Sequence, residues 1–267
     1  MMRADTAWRR RAQRACIPLA VVVVLSLTGC TASPETTVVE GTGEERTVQW
    51  KDYPGHASTD QDTVLEAPSP EEGERRALRI LTEIEAALTE AYGLGWSSQG
   101  ESGWFEYSGN GYGGNSYLTT YNSSTRVSDG VPNGKESWRE ALDLIDEILV
   151  DDGLGGLVLH HDFSTATDEE AWPDEAVEKF GSSDEEQFWQ WSADSVGESQ
   201  WVSVTLSDVA QDRTGQAAEV LEDMGLEGES VAISYGVTTV PSDHRDEFRH
   251  ALEPFEGLQK PEGTHSD

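Results

Sequence analysis

Residues 187–194 and 199–208 read QFWQWSAD and SQWVSVTLSD. In both runs bulky apolar side chains alternate with small polar ones. A period of two marks a strand with one buried face, and two such runs this close together predict an antiparallel hairpin. A second pair lies upstream: SGWFEYS (102–108) and NSYLTTYNS (115–123), either side of a glycine-rich turn. The alternation places Trp189 and Trp191 on one face, and Trp104, Trp201, Tyr107, Tyr117 and Tyr121 sit in the same hairpins. An aromatic row of this kind stacks sugar rings or a peptide when it is open. When a layer of helices covers it, which is the commoner use, it is core.

The helices to supply that layer can be read between the hairpins. Ser69-Pro70-Glu71-Glu72 has the N-cap Ser, the N1 Pro and the N3 Glu of a capping box. Ala77, Ile80, Leu81, Ile84, Leu88 and Ala91 then follow at helical spacing, and Gly93 is placed to stop the helix. Trp138, Ala141, Leu142, Ile145, Ile148 and Leu149 make the apolar face of a second helix over 136–151, closed by Gly153. Shorter helices are expected at 175–180 and 216–224, and a terminal one over 243–256. Strands are expected at 157–163 (LVLHHDF) and 230–240 (SVAISYGVTTV). The fold class is therefore α+β, a largely antiparallel sheet with helices packed on one side. Residues 70–165 and 168–240 each read α-β-β-α-β, which raises a pseudo-repeat of two similar halves within a domain over 70–257.

The start of the chain has a different character. Arg3, Arg9, Arg10, Arg11 and Arg14 precede an apolar run from Ile17 to Leu27. Eleven helical residues cover about 16 Å, half of a bilayer core, so the run is too short to span a membrane. It is the layout of an export signal, residues 1–29. The stop, Leu27-Thr28-Gly29-Cys30, resembles the lipobox of bacterial lipoproteins, in which the cysteine thiol takes a diacylglycerol and becomes the first residue. Cys30 is thus the expected lipidation site, and two acyl chains suffice for stable anchoring. The only other cysteine, Cys16, leaves with the signal, so the mature domain has no disulfide. Residues 30–69, rich in Thr, Ser, Pro and acids, read as the lipidated cysteine and a flexible tether with an average reach of about 35 Å. Residues 258–267 read as a disordered tail.

Charge narrows the partners. The chain has 18 basic and 51 acidic residues; loss of residues 1–29 removes five and one, leaving 13 against 50, a net of −37. Such a surface repels nucleic acid. It suits a salt-exposed location outside the cell, or the binding of cations or basic ligands. Asp168-Glu169-Glu170 and Asp184-Glu185-Glu186 are the acidic clusters that could ligate calcium, although neither has EF-hand spacing. Gly109-x-Gly111-x-x-Gly114 formally matches a dinucleotide fingerprint, but a strand follows it where a helix is needed. The glycines are expected to serve a loop with positive φ, and no cofactor is expected. His160 and His161, neighbours in the expected strand, would face opposite sides and not share a metal.

The lipobox, the tether, a helix ending before Trp96, a hairpin and a helix opening at Trp138 together resemble the LppA-like lipoproteins of actinobacteria over about residues 70–210. Members of that family often carry cysteines in the domain; this chain does not. The resemblance implies a location and a rough fold, and no catalytic residues. The expected protein is a lipid-anchored, extracytoplasmic envelope lipoprotein on the cell membrane, a non-enzymatic module that binds an envelope protein or a small ligand. The alternatives are a cell-wall glycan-acting enzyme using paired carboxylates and a calcium-dependent adhesion module.

Overall fold

The computed structural model describes residues 33–39, 45–162, 172–197, 199–223 and 228–264. The expected signal, Cys30, Asp168, Glu169, Glu170, Phe163, Met224 and residues 265–267 lie outside them. In chain order the elements are β1 (Glu35–Val39), β2 (Glu45–Gln49), α1 (Gln61–Glu66), α2 (Pro70–Tyr92), β3 (Trp96–Gln99) and β4 (Gly103–Glu106). Next come β5 (Thr119–Asn122), β6 (Thr125–Ser128), α3 (Lys135–Asp151), β7 (Val158–Leu159) and α4 (Trp172–Phe180). The last five are β8 (Gln190–Val196), β9 (Gln200–Asp208), α5 (Ala217–Asp223), β10 (Glu229–Thr239) and α6 (Arg245–Leu252). The class is α+β, as the periodicities predict.

Local signals set the helix ends. Ser69 accepts a bond from the Glu72 amide, and the Glu72 carboxylate accepts one from the Ser69 amide. Gly93 ends α2 in the left-handed region at φ 74°. The apolar positions of α2 and α3 fall on one stripe each, and both stripes face the sheet and one another.

One antiparallel sheet organises the domain, in the order β3-β6-β10-β9-β8-β7, with β5 on β10 and β4 on β5. β5 and β6 run along the same side of β10 as one jogged strand. At the jog Ser123 donates its amide to the Tyr235 carbonyl, and its hydroxyl accepts the Tyr235 amide. A strand from the second expected half therefore pairs with strands from the first. Residues 70–162 also carry four strands before α3 rather than two. The α-β-β-α-β order is not repeated, and residues 32–267 form one compact unit. β7 is shorter than expected because the chain turns into a single 3-10 turn at His160–Asp162.

The tether reading is corrected over 33–39, where β1 pairs with β2, and over 45–69, and the tail reading over 258–264. Residues 45–69 have few apolar side chains, but they meet distant partners. Trp50 and Tyr53 are buried, with the Trp50 ring 5.2 Å from Phe255 and 5.5 Å from Tyr112. Val64 of α1 joins Val240 and Phe248 of the chain's end in the same second core. The tail closes over it: Lys260 Nζ donates to the Thr59 carbonyl, Tyr112 Oη to the Pro261 carbonyl and the Thr264 amide to Gly111.

Asn110 joins the glycine loop to this second core. Fully buried, it donates to the carbonyls of Trp50, Lys51 and Tyr53 and accepts the amides of Tyr112 and Gly114. Gly111 has φ +76°, and a Cβ at Gly114 would stand 1.6 Å from the Lys51 carbonyl oxygen. The loop thus needs glycine for a left-handed turn and a close backbone approach.

Candidate functional site

Alternation along the strands divides the sheet residues between two faces, and the division can be followed through the register. On the helix-covered face Trp191, Ala193, Val202, Val204, Ile233, Tyr235 and Val237 join the main core. Trp189 and Trp191 are each 1 % exposed. The open-row reading of these two is thereby corrected: both lie beneath the helices, with their indole N–H groups donating to the Lys179 and Glu185 carbonyls. Trp189 precedes β8 rather than sitting in it. Trp104 is half-buried on the same face, its ring 5.2 Å from Tyr121 and its Nε1 donating to Glu74 of α2. Trp201 is on the other face.

A group of titratable side chains surrounds Trp191. Lys135 is buried and donates to the Phe188 carbonyl at 2.6 Å, with its Nζ 3.1 Å from the centre of the Trp138 ring. Trp138 and Trp191 meet edge to face, 5.5 Å apart. Burial pushes the Lys135 ammonium down to about 7, against the upward pull of Asp208 and Glu186. The His161 ring packs 5.1 Å from Trp191, and its Nε2 lies 3.3 Å from a Glu185 oxygen. Arg139 passes 5.0 Å from the Trp191 ring and bonds both Glu185, at 2.7 Å, and Glu186.

The second acidic cluster is therefore occupied by the protein itself. Asp184 accepts the Glu186 amide and bonds the Gln187 side chain, while Glu185 and Glu186 share one guanidinium. Among the described residues no three His, Asp or Glu side chains converge as metal ligands. His160 and His161 part company as expected, though in a turn rather than a strand: His160 pairs with Asp194 at 2.7 Å.

The opposite sheet face carries different chemistry. One cross-strand row is Ser97, Val127, Ala232, Thr205 and Ser192, and the next is Ser234, Ser203, Asp194 and Val158. Then come Gly103, Asn122, Gly236, Trp201 and Val196, and finally Phe105, Thr120 and Thr238. Neither Val127 nor Ala232 belongs to the main core, although both are buried among their neighbours. Phe105 is 56 % exposed, Val158 46 % and Val196 72 %. Of these seventeen positions only Asp194 is charged, and it is paired with His160. In a chain with 26 % charged residues about four would be expected. At β3 and β6 the face runs into a concavity of about 790 Å³ bordered by Trp96, Ser97, Gln99, Val127, Asp129 and Glu229.

Trp201 is thus the one aromatic of the sequence-based set that reaches this face; Phe105 and Asn122 escaped notice. The one such signal on this face is at Gly236: a glycine inside a strand marks a close approach, and a Cβ there would stand 2.1 Å from the Trp201 ring, whereas one at Gly103 would meet Phe105 in ordinary contact at 3.8 Å. Lys135 carried no such signal: Trp138 is three residues on, but Phe188 and Trp191, which complete its surroundings, lie more than fifty positions away.

The chain matches no protein-family model, no curated protein and no solved structure. Among the described residues no helix is long and apolar enough to cross a membrane.

Proposed function

We propose that this chain is a lipid-anchored extracytoplasmic protein, attached through Cys30, whose folded body is a non-enzymatic binding module that presents its uncharged sheet face to an envelope ligand. The observation that carries the binding half is that face: seventeen strand positions with one paired charge, in a chain of formal net charge −33. Exposed acids elsewhere keep the body soluble and repel nucleic acid; a face kept free of them is suited to contact. The anchoring half rests on the basic start, the short apolar run and Leu27-Thr28-Gly29-Cys30.

The length of the leash changes under this reading. The Pro34 carbonyl accepts the Trp50 amide, so the folded body begins four residues after Cys30. Four residues span at most about 14 Å. A lipid on Cys30 would hold the β1–β2 end of the body close to the membrane rather than at the end of a long tether.

Two measurements test the proposal. Cys30→Ser should move the protein from the membrane fraction to the medium; retention of the variant on membranes refutes the anchor. Hydroxyl-radical footprinting should show Phe105 and Trp201 protected on isolated envelopes and reactive in detergent. Equal reactivity in both settings rejects the open face as the contact surface.

A further inference from the structure

We propose that the open face is a platform for an extended, uncharged glycan, with Phe105 and Trp201 stacking on two sugar rings and Asn122 bonding the hydroxyls between them. This rests on the reading of that face as a binding surface and adds the class of ligand.

The Trp201 ring is set by Gly236, and the Phe105 ring lies against Gly103 in ordinary contact. In the row Gly103, Asn122, Gly236, Trp201, each position belongs to the next strand in order: β4, β5, β10, β9. The Trp201 indole fills the space above Gly236 that a Cβ would take, and the Phe105 ring leans back over Gly103. The rings therefore lie over β10 and β4, two strand spacings apart, or about 9–10 Å. That is close to the repeat of every second ring in an extended β-linked glycan. Asn122, exposed on β5 between them, offers an amide donor and a carbonyl acceptor where the middle sugar would lie.

The surroundings agree with a sugar more than with other occupants. Half-buried Thr120 bonds the hydroxyl of buried Thr238 at 2.9 Å, and half-buried Ser192 and Thr205 make a longer hydroxyl bond at 3.4 Å. Hydroxyls both give and accept, as sugar hydroxyls do. An apolar protein partner, or a second copy of this chain, would have to bury that carpet of Ser and Thr without matching it, which is costly. A peptide adding as a strand needs a sheet edge, and this surface is a face. A uronic-acid or phosphate-bearing polymer would be repelled by the acidic body, whereas a neutral one meets along these rows only Asp194, which is paired with His160.

The test uses the full chain in a zwitterionic detergent that carries no sugar headgroup. Cellohexaose and chitohexaose are titrated by calorimetry at low and high NaCl, with polygalacturonate as the anionic counterpart. Binding of a neutral hexaose that survives high salt, and that weakens about tenfold or more in Phe105→Ala and in Trp201→Ala, is the expected result. Phe105 is exposed, so its variant keeps the test sound if loss of Trp201 over Gly236 disturbs the fold. Absence of binding to both hexaoses, binding that ignores Phe105→Ala, or a preference for polygalacturonate overturns the proposal. So does a concentration-dependent dimer that Phe105→Ala dissolves, which would assign the face to a second copy. If the envelope footprint persists while the hexaoses fail, the ligand class alone is wrong; if the footprint is missing too, the binding-face reading falls with it.

Discussion

The two faces of this sheet are made from alternate residues of the same strands, yet they have become different materials. The helix side of β8, β9 and β10 is Trp, Val, Leu, Ile and Tyr, packed under α2 and α3. The open side is Ser, Thr, Gly and Ala, with a few exposed apolar groups and one paired acid. In an ordinary half-buried sheet the solvent side takes the charged residues of the composition. Here the acids lie on helices, loops and strand ends instead. The contrast teaches that exposure alone does not explain the open side. A surface need not be apolar to be set apart for contact; in a strongly acidic chain it need only be neutral.

The sharpest way to break the comparison is to truncate one ring on each side. Trp191→Ala removes a fully buried indole and should cost about 3–5 kcal/mol by chemical denaturation. A loss under about 1 kcal/mol would mean the helix side is not the load-carrying core of the sheet. Asn110→Ala, in the second core, should cost about 2–3 kcal/mol, because the Lys51 and Tyr53 carbonyls and the Tyr112 and Gly114 amides lose their bonds to it, while the Trp50 carbonyl keeps only the Tyr53 amide. Its effect should register on the end of the sheet near Trp50, visible as faster amide exchange over 45–69. Slow exchange there in the variant would show that the tether-like stretch holds without the loop.

Lys135 sharpens the same contrast through pH. Its folded value is lowered to about 7, while an unfolded lysine holds its proton to about 10.4. Between those values the unfolded state binds more protons, so stability should rise with pH, by up to about 1.4 kcal/mol per pH unit from this group. Below pH 7 both states are protonated and the slope from Lys135 vanishes. Lys135→Met should flatten the rise in Tm between pH 7 and 9, and an unchanged profile in the variant would assign the slope elsewhere. The smallest stability effect belongs to the open side: Phe105→Ala should change folding stability by less than about 0.5 kcal/mol. A larger loss would make Phe105 part of the core and withdraw it from the platform.

Much of the architecture could be read one element at a time. The capping box at Ser69 and the glycine at 93 bounded α2, Trp138 to Leu149 marked α3, and period-two runs marked β8, β9 and β10. β3 and β6 were missed, being four residues each with weak alternation. The 45–69 stretch reads as a linker because four apolar side chains in a polar segment, Val48, Trp50, Tyr53 and Val64, show no core until Tyr112, Phe248 and Phe255 are brought into the same cluster. Among the aromatics, alternation correctly paired Trp189 with Trp191 but could not say on which side of the sheet the helices would land.

That division has a physical reason. Caps, turns and periodicity act within a few residues, so the amino-acid sequence by itself determined the bounds of α2 and α3, the β8–β9 hairpin, the α+β class, the acidic composition and the Cys30 motif. Which face is covered, which indole is fully buried and which only partly, and that Lys135 of α3 meets the Phe188 carbonyl, depend on contacts between distant segments. Those were decided only when α2 and α3 settled on one side of the sheet and left Phe105, Asn122 and Trp201 together on the other.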